Sequence, residues 1–186
     1  MKTATGMEHM AAFIAQHSFL IAQIIGFMAV ATVIVMYQFK SHKLIMGIFV
    51  FMCTLWCLHF ALLGCWSAVA MNGVNVVRSF IYGFRDKKWA QSNAIPIIFC
   101  VIAVVMVVLT WENAWSLLPL LGGVAATIAN WQTDTRKLKI MTVPVSVSWL
   151  IYNAHNASYA GLINEIFALC SIGVYFIRTR KEKKQA

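Results

Sequence analysis

The chain has 186 residues, of which 61% are hydrophobic and 11% charged, with a mean hydropathy of +0.75 and a formal net charge of +9. A soluble domain carries roughly 25% charged residues, so this chain cannot cover itself with polar surface and reads as an integral membrane protein. The positive charge lies in short clusters between apolar runs, which sets topology and argues against a nucleic-acid face.

A span takes ~20 apolar residues, leaving room for about seven crossings and no separate soluble domain. Residues 1–18 form an amino-terminal lead-in with Lys2, Glu8, His9 and His17. The apolar run comes late and continues into a full span, so the segment is expected to be retained, unlike a cleaved signal. Span 1 covers 19–38 and stops at Lys40, Ser41, His42 and Lys43. Spans 2 and 3, at 44–64 and 67–84, have only Cys65 and Trp66 between them, which predicts an antiparallel hairpin. Arg85, Asp86, Lys87 and Lys88 end span 3, and residues 89–94 lead to span 4, at 95–111, the most uniformly apolar run. An aromatic-rimmed turn from Trp111 to Trp115 precedes span 5, at 116–132, which stops at Asp134, Thr135, Arg136 and Lys137. Spans 6 and 7 follow at 139–156 and 159–177, before a basic tail.

A shift of 93 positions aligns the two halves without a gap. Trp149 falls on Trp56, Tyr152 on His59, Ser158 on Cys65, Tyr159 on Trp66, Glu165 on Asn72, Tyr175 on Tyr82 and Arg178 on Arg85. Span 4 has no partner in this duplication. The expected architecture is an all-α membrane protein of seven transmembrane helices, two parallel three-helix repeats (19–88 and 112–178) joined by a linker and fourth helix (89–111), with a basic tail at 179–186. The loops after spans 1, 3 and 5 and the tail, counted with Lys139 at the first position of span 6, hold 13 of the 15 lysines and arginines. The positive-inside rule therefore puts the amino terminus outside and the carboxyl terminus in the cytoplasm.

Ionisable groups inside a bilayer cost at least ~2.5–3.5 kcal/mol at mid-depth and mark functional sites. Glu165 in span 7 and Arg78 in span 3 are the two such residues. Asn72, Asn75, Ser79 and Tyr82 share one helical stripe, as do Trp149, Tyr152, Asn153 and Asn156 on span 6, and Trp56, His59 and Phe60 on span 2. Amides in lipid need partners, so these faces turn inward. They either bond between helices or line a site between the repeats near mid-membrane, where repeat transporters hold substrate. Candidate substrate-binding residues are Trp56, His59, Asn72, Asn75, Trp149, Tyr152, Asn153 and Glu165. Arg78, Pro119 and Pro144 are candidate gating or charge-partner residues. No cofactor is expected. His59 and His155 could be imagined as axial haem ligands, but they are not repeat-equivalent and no second pair exists; the five cysteines read as packing thiols.

Asn75-Val76-Val77-Arg78 and the pattern Trp149-x3-Asn153-x4-Ser158-x2-Gly161-x3-Glu165 resemble the YgjV-type bacterial inner-membrane protein family over about residues 20–180. The resemblance implies an inner-membrane location. More distantly, the 3+1+3 plan is similar to SWEET sugar facilitators and PQ-loop transporters, in whose bacterial half-size members a tryptophan and an asparagine 16 residues later contact sugar. Trp56 and Asn72 keep that spacing; Trp149 and Glu165 keep it with a carboxylate. This sequence departs from full-length SWEET proteins in having its span prolines, Pro119 and Pro144, only in the second repeat. It also lacks a Pro-Gln pair in the first span. The first departure argues against symmetric rocking, and Glu165 argues against a neutral sugar.

The expected function is transport of a small sugar-like, polar or cationic solute, with the tryptophans as stacking walls and Glu165 as charge partner or proton carrier. The alternative is a non-transporting membrane scaffold, receptor or assembly partner with the same fold. An enzyme is not expected, because one carboxylate without a nucleophile or metal set is not a mechanism.

Overall fold

The computed structural model describes the backbone of residues 2–36, 39 and 42–185 and the side chains of 16–35, 39 and 47–180. The expected span-1 stop at Lys40 and Ser41 lies outside the described residues, as do the side chains of Lys2, Glu8, His9, His42 and Lys43 and of the tail from Lys181 onward. Among the described residues there are seven α-helices and no strands: α1 (Lys2–Met36), α2 (His42–Leu62), α3 (Trp66–Tyr82), α4 (Ala94–Leu109), α5 (Leu117–Trp131), α6 (Thr135–His155) and α7 (Tyr159–Gln185). Single 3-10 turns, Lys88–Gln91 and Ala114–Ser116, precede α4 and α5.

Each predicted span coincides with a helix, and the bounds differ most where a helix outruns its apolar stretch. α1 begins at Lys2, α6 at Thr135 and α7 continues to Gln185. Lysine, arginine, glutamate and glutamine are good helix formers, so the backbone does not stop where hydropathy does. Asp134 caps α6, its carboxylate accepting from the Lys137 amide at 2.9 Å. Within α1, α5 with its preceding turn, and α7, the segments Gln16–Val35, Ala114–Trp131 and Tyr159–Arg180 are long and apolar enough to cross a membrane; Gly47–Leu62 and Ala94–Leu109 are shorter apolar helices.

Consecutive helices pack together throughout, from α1 on α2 to α6 on α7. Two further seams close the bundle, α1 against α7 and α3 against α5, and α4 packs over the second of them. The outer face of α4 is bare hydrocarbon, with Ile97, Val101, Val108 and Leu109 exposed, while Phe99, Ala103 and Val107 turn inward at a spacing of four. Lipid tails are as apolar as leucine, so such helices associate by close packing and interhelical hydrogen bonds. Small residues accordingly fill the contacts: Ala22, Ala29, Ala68, Ala103 and Ala160 are fully buried. At Gly26 on α1 a side chain would meet Ala160 at 2.6 Å and His59 Nδ1 at 2.7 Å.

The α2–α3 and α6–α7 turns are built alike. Gly64 (φ 73°) and Ala157 (φ 51°) are the left-handed residues. Cys65 N donates to Phe60 O at 2.9 Å in one turn, and Ser158 N to Asn153 O at 2.9 Å in the other. The Gly64–Ala61, Trp66–Gly64 and Val69–Cys65 bonds recur as Ala157–Ala154, Tyr159–Ala157 and Leu162–Ser158. Every one of these correspondences has the 93-residue offset.

Candidate functional site

A cavity of ≈ 480 Å³ opens among α2, α3, α5, α6 and α7, within the ~300–1,000 Å³ usual for small-molecule sites. Its lining contains four pairs of residues 93 positions apart: Met52 and Val145, Trp56 and Trp149, Phe60 and Asn153, Asn72 and Glu165. The cavity therefore sits where the equivalent faces of α2 and α6, and of α3 and α7, meet.

One wall is aromatic. Trp56 stacks on Phe60 with centroids 5.8 Å apart, and Phe60 lies 5.8 Å from Trp149 at a tilt of 34°. Both tryptophans are buried on their helices yet reach the cavity surface. The spacing of four from Trp56 to Phe60 and from Trp149 to Asn153 puts each pair on one helix face.

Polar groups occupy the rest. Asn72 Nδ2 donates to Ala68 O on its own helix at 2.9 Å, which leaves its carbonyl oxygen for the cavity. Arg78 Nη1 donates to Gly123 O at 3.3 Å and Thr127 Oγ1 at 2.9 Å, and Nη2 to Asn75 Oδ1. The arginine is thus held in the protein, with 2% exposure, and does not reach outward along α3. Glu165 accepts from Asn164 Nδ2 at 3.1 Å and has the Ser146 hydroxyl as its other neighbour. Arg78 and Glu165 line the same cavity without pairing, since among the described residues the one ion pair is Lys87 with Asp86.

Seven of the predicted residues come together here: Trp56, Asn72, Asn75, Arg78, Trp149, Asn153 and Glu165. His59 and Tyr152 stand behind the lining. His59 is fully buried, Nδ1 lying 2.6 Å from Ala22 O and Nε2 2.8 Å from Ser158 Oγ. A carbonyl only accepts, so Nδ1 carries the proton and Nε2 of the neutral ring accepts from the serine. This ties α1, α2 and the start of α7 into one knot, reinforced by Gln23, which donates to Ala157 O at 2.9 Å and accepts from Ala160 N at 3.3 Å. Tyr152 packs against Phe60 and Trp149.

The prolines differ in kind. Pro119 is buried in the first turn of α5, where the missing N–H would have had no partner; Pro144 lies inside α6, where it removes a helix bond and faces outward. Sequence reasoning missed Asn130 and Asn164. Asn164 had a signal, a second amide beside a carboxylate in an apolar run. Asn130 had none, because it falls in the last turn of α5, where a polar residue is ordinary.

The sequence pattern of Imp-YgjV, described as a bacterial inner membrane protein family, matches residues 20–183. The chain belongs to this family. No curated protein and no solved structure matches it. The Imp-YgjV match spans every residue that lines the cavity, and it agrees with the bare apolar surface in making this a protein of the bacterial inner membrane in contact with lipid.

Proposed function

We propose that the protein is a seven-span carrier of a small polar solute, built as two parallel three-helix repeats around a linker helix, with the amino terminus periplasmic and the carboxyl terminus cytoplasmic. The observation that carries this reading is the cavity, whose lining draws repeat-equivalent residues from both halves and mixes two tryptophans with amides, a guanidinium and a carboxylate. Support for the repeats comes from the matching α2–α3 and α6–α7 turns and from the equivalence of the α1–α7 and α3–α5 seams. Support for the orientation comes from the lysine and arginine distribution. Solute would stack against the aromatic wall of Trp56, Phe60 and Trp149 and bond to Asn72, Asn75 and Asn153, with Glu165 as charge partner or proton carrier.

The test is a thermal-stability screen of the detergent-purified protein against sugars, amino acids, polyamines and nucleosides at two pH values, followed by uptake into proteoliposomes. A ligand at 100 times its Kd stabilises by ~2.7 kcal/mol. A hit that weakens in Trp149→Ala and is taken up supports the carrier. A panel without hits, together with a partner that co-purifies in mild detergent, supports a non-transporting assembly protein. That second reading is favoured by one observation: only Pro144 interrupts a helix interior, so the two halves do not share a hinge.

A further inference from the structure

Two opposite charges line the cavity, and neither is compensated. The guanidinium of Arg78 has five N–H donors. Three are spent on neutral acceptors, Gly123 O, Thr127 Oγ1 and Asn75 Oδ1. Nε has no partner although the residue is 2% exposed, which leaves Nε–H and one Nη2–H. Two donors on one guanidinium are what a carboxylate takes in a bidentate pair.

The acceptors gather on the other side. Asn153 Oδ1 is buried without a partner. It points at Gly161 so closely that a side chain there would collide with it. Gly161 lies four residues, one helical turn, before Glu165, so the amide oxygen and the carboxylate share one face of the α6–α7 side. Glu165 itself is bonded only to neutral groups, Asn164 and Ser146. The unspent donors therefore lie on Arg78 of α3 and the unspent acceptors on α6 and α7, and Arg78, Asn153 and Glu165 all line the same cavity.

Building on the reading of this cavity as a solute site, we infer that its ligand is a small zwitterion of the amino-acid type, carboxylate on Arg78 and ammonium on Glu165 and Asn153 Oδ1. A buried charge needs an opposite charge or a full set of hydrogen bonds. A ligand of one sign satisfies one of the two and leaves the other bare. A neutral sugar offers hydrogen bonds but no counter-charge to either. A zwitterion satisfies both and brings no net charge into the membrane interior.

The experiment is differential scanning of the purified full chain with leucine, glutamine, lysine and tryptophan, each beside its decarboxylated amine and its N-acetyl derivative, and with glucose and spermidine. At least one free amino acid raises Tm, and its amine and N-acetyl forms each bind at least tenfold more weakly. In Arg78→Gln the amino acid loses its advantage over the amine; in Glu165→Gln it loses its advantage over the N-acetyl acid. Should Arg78→Gln not fold, the matched ligands on the native chain still decide. Stabilisation by glucose, spermidine or an amine equal to or above that of any amino acid overturns the zwitterion and leaves a solute carrier. No shift with any of these compounds or with nucleosides overturns both.

Discussion

Gly64 and Ala157 hold the same left-handed position in turns 93 residues apart, with φ of 73° and 51°. Glycine adopts that conformation without strain, whereas alanine pays roughly 1–2 kcal/mol for it. Ala157→Gly is expected to raise stability in detergent, by about 1 kcal/mol, and Gly64→Ala to lower it by a similar amount. Unfolding titrations of the two variants against the native chain check both signs.

Ser158 is the proton donor to a fully buried histidine. Ser158→Ala leaves His59 Nε2 without a partner and is expected to cost about 1–3 kcal/mol. Ser158→Cys, which installs the residue of the equivalent position 65, restores a weak donor and should fall between the two. Chemical-denaturant midpoints give the ranking.

Gly161 and Asn153 are coupled through contact. A side chain at 161 would run into the Asn153 amide and come within 2.6 Å of Ser158 Oγ. Gly161→Ala is expected to cost about 1–3 kcal/mol by overpacking. In an Asn153→Ala background the cost should shrink, and a double-mutant cycle measures the difference. Additive costs would place the clash elsewhere.

Asp134, the cap of α6, is fully exposed. The Lys137 amide it accepts from, with smaller help from the Arg136 amide and the Lys137 and Arg136 charges, holds its carboxyl below the usual range. The folded state therefore binds this proton more weakly than the unfolded state. Its stabilisation is present above the unfolded pKa of about 3.9 and fades as pH falls through the lower folded value. Asp134→Asn should flatten the acid limb of a stability–pH curve below about pH 4 relative to the native chain, with little change at pH 7, since asparagine also caps.

The membrane class, the seven helices and the residues that face inward were legible because each depends on local pattern. Apolar run length, basic stops and the spacings of three and four act within one helix, so Trp56, Asn72, Arg78 and Trp149 could be singled out without knowing what they meet. The 93-residue offset shared by the α2–α3 and α6–α7 turns was legible for a related reason: equal chain lengths can be read where identities are few.

Three things were decided only when the helices came together. His59 shares a helix face with Trp56, yet Ala22 and Ser158, 37 and 99 residues away, turn it into a structural knot. Arg78 could have reached outward or met Glu165; the carbonyl of Gly123 and the hydroxyl of Thr127, on a helix 45 or more residues further on, hold it short of both. Asn130 entered the cavity because α5 crosses α3 there. Periodicity says which side of a helix seeks a partner, but in lipid no hydrophobic gradient chooses among the partners. That choice rests on the fit of small residues such as Gly26 and Gly161 against particular side chains and on which buried donors find acceptors, both properties of the assembled bundle.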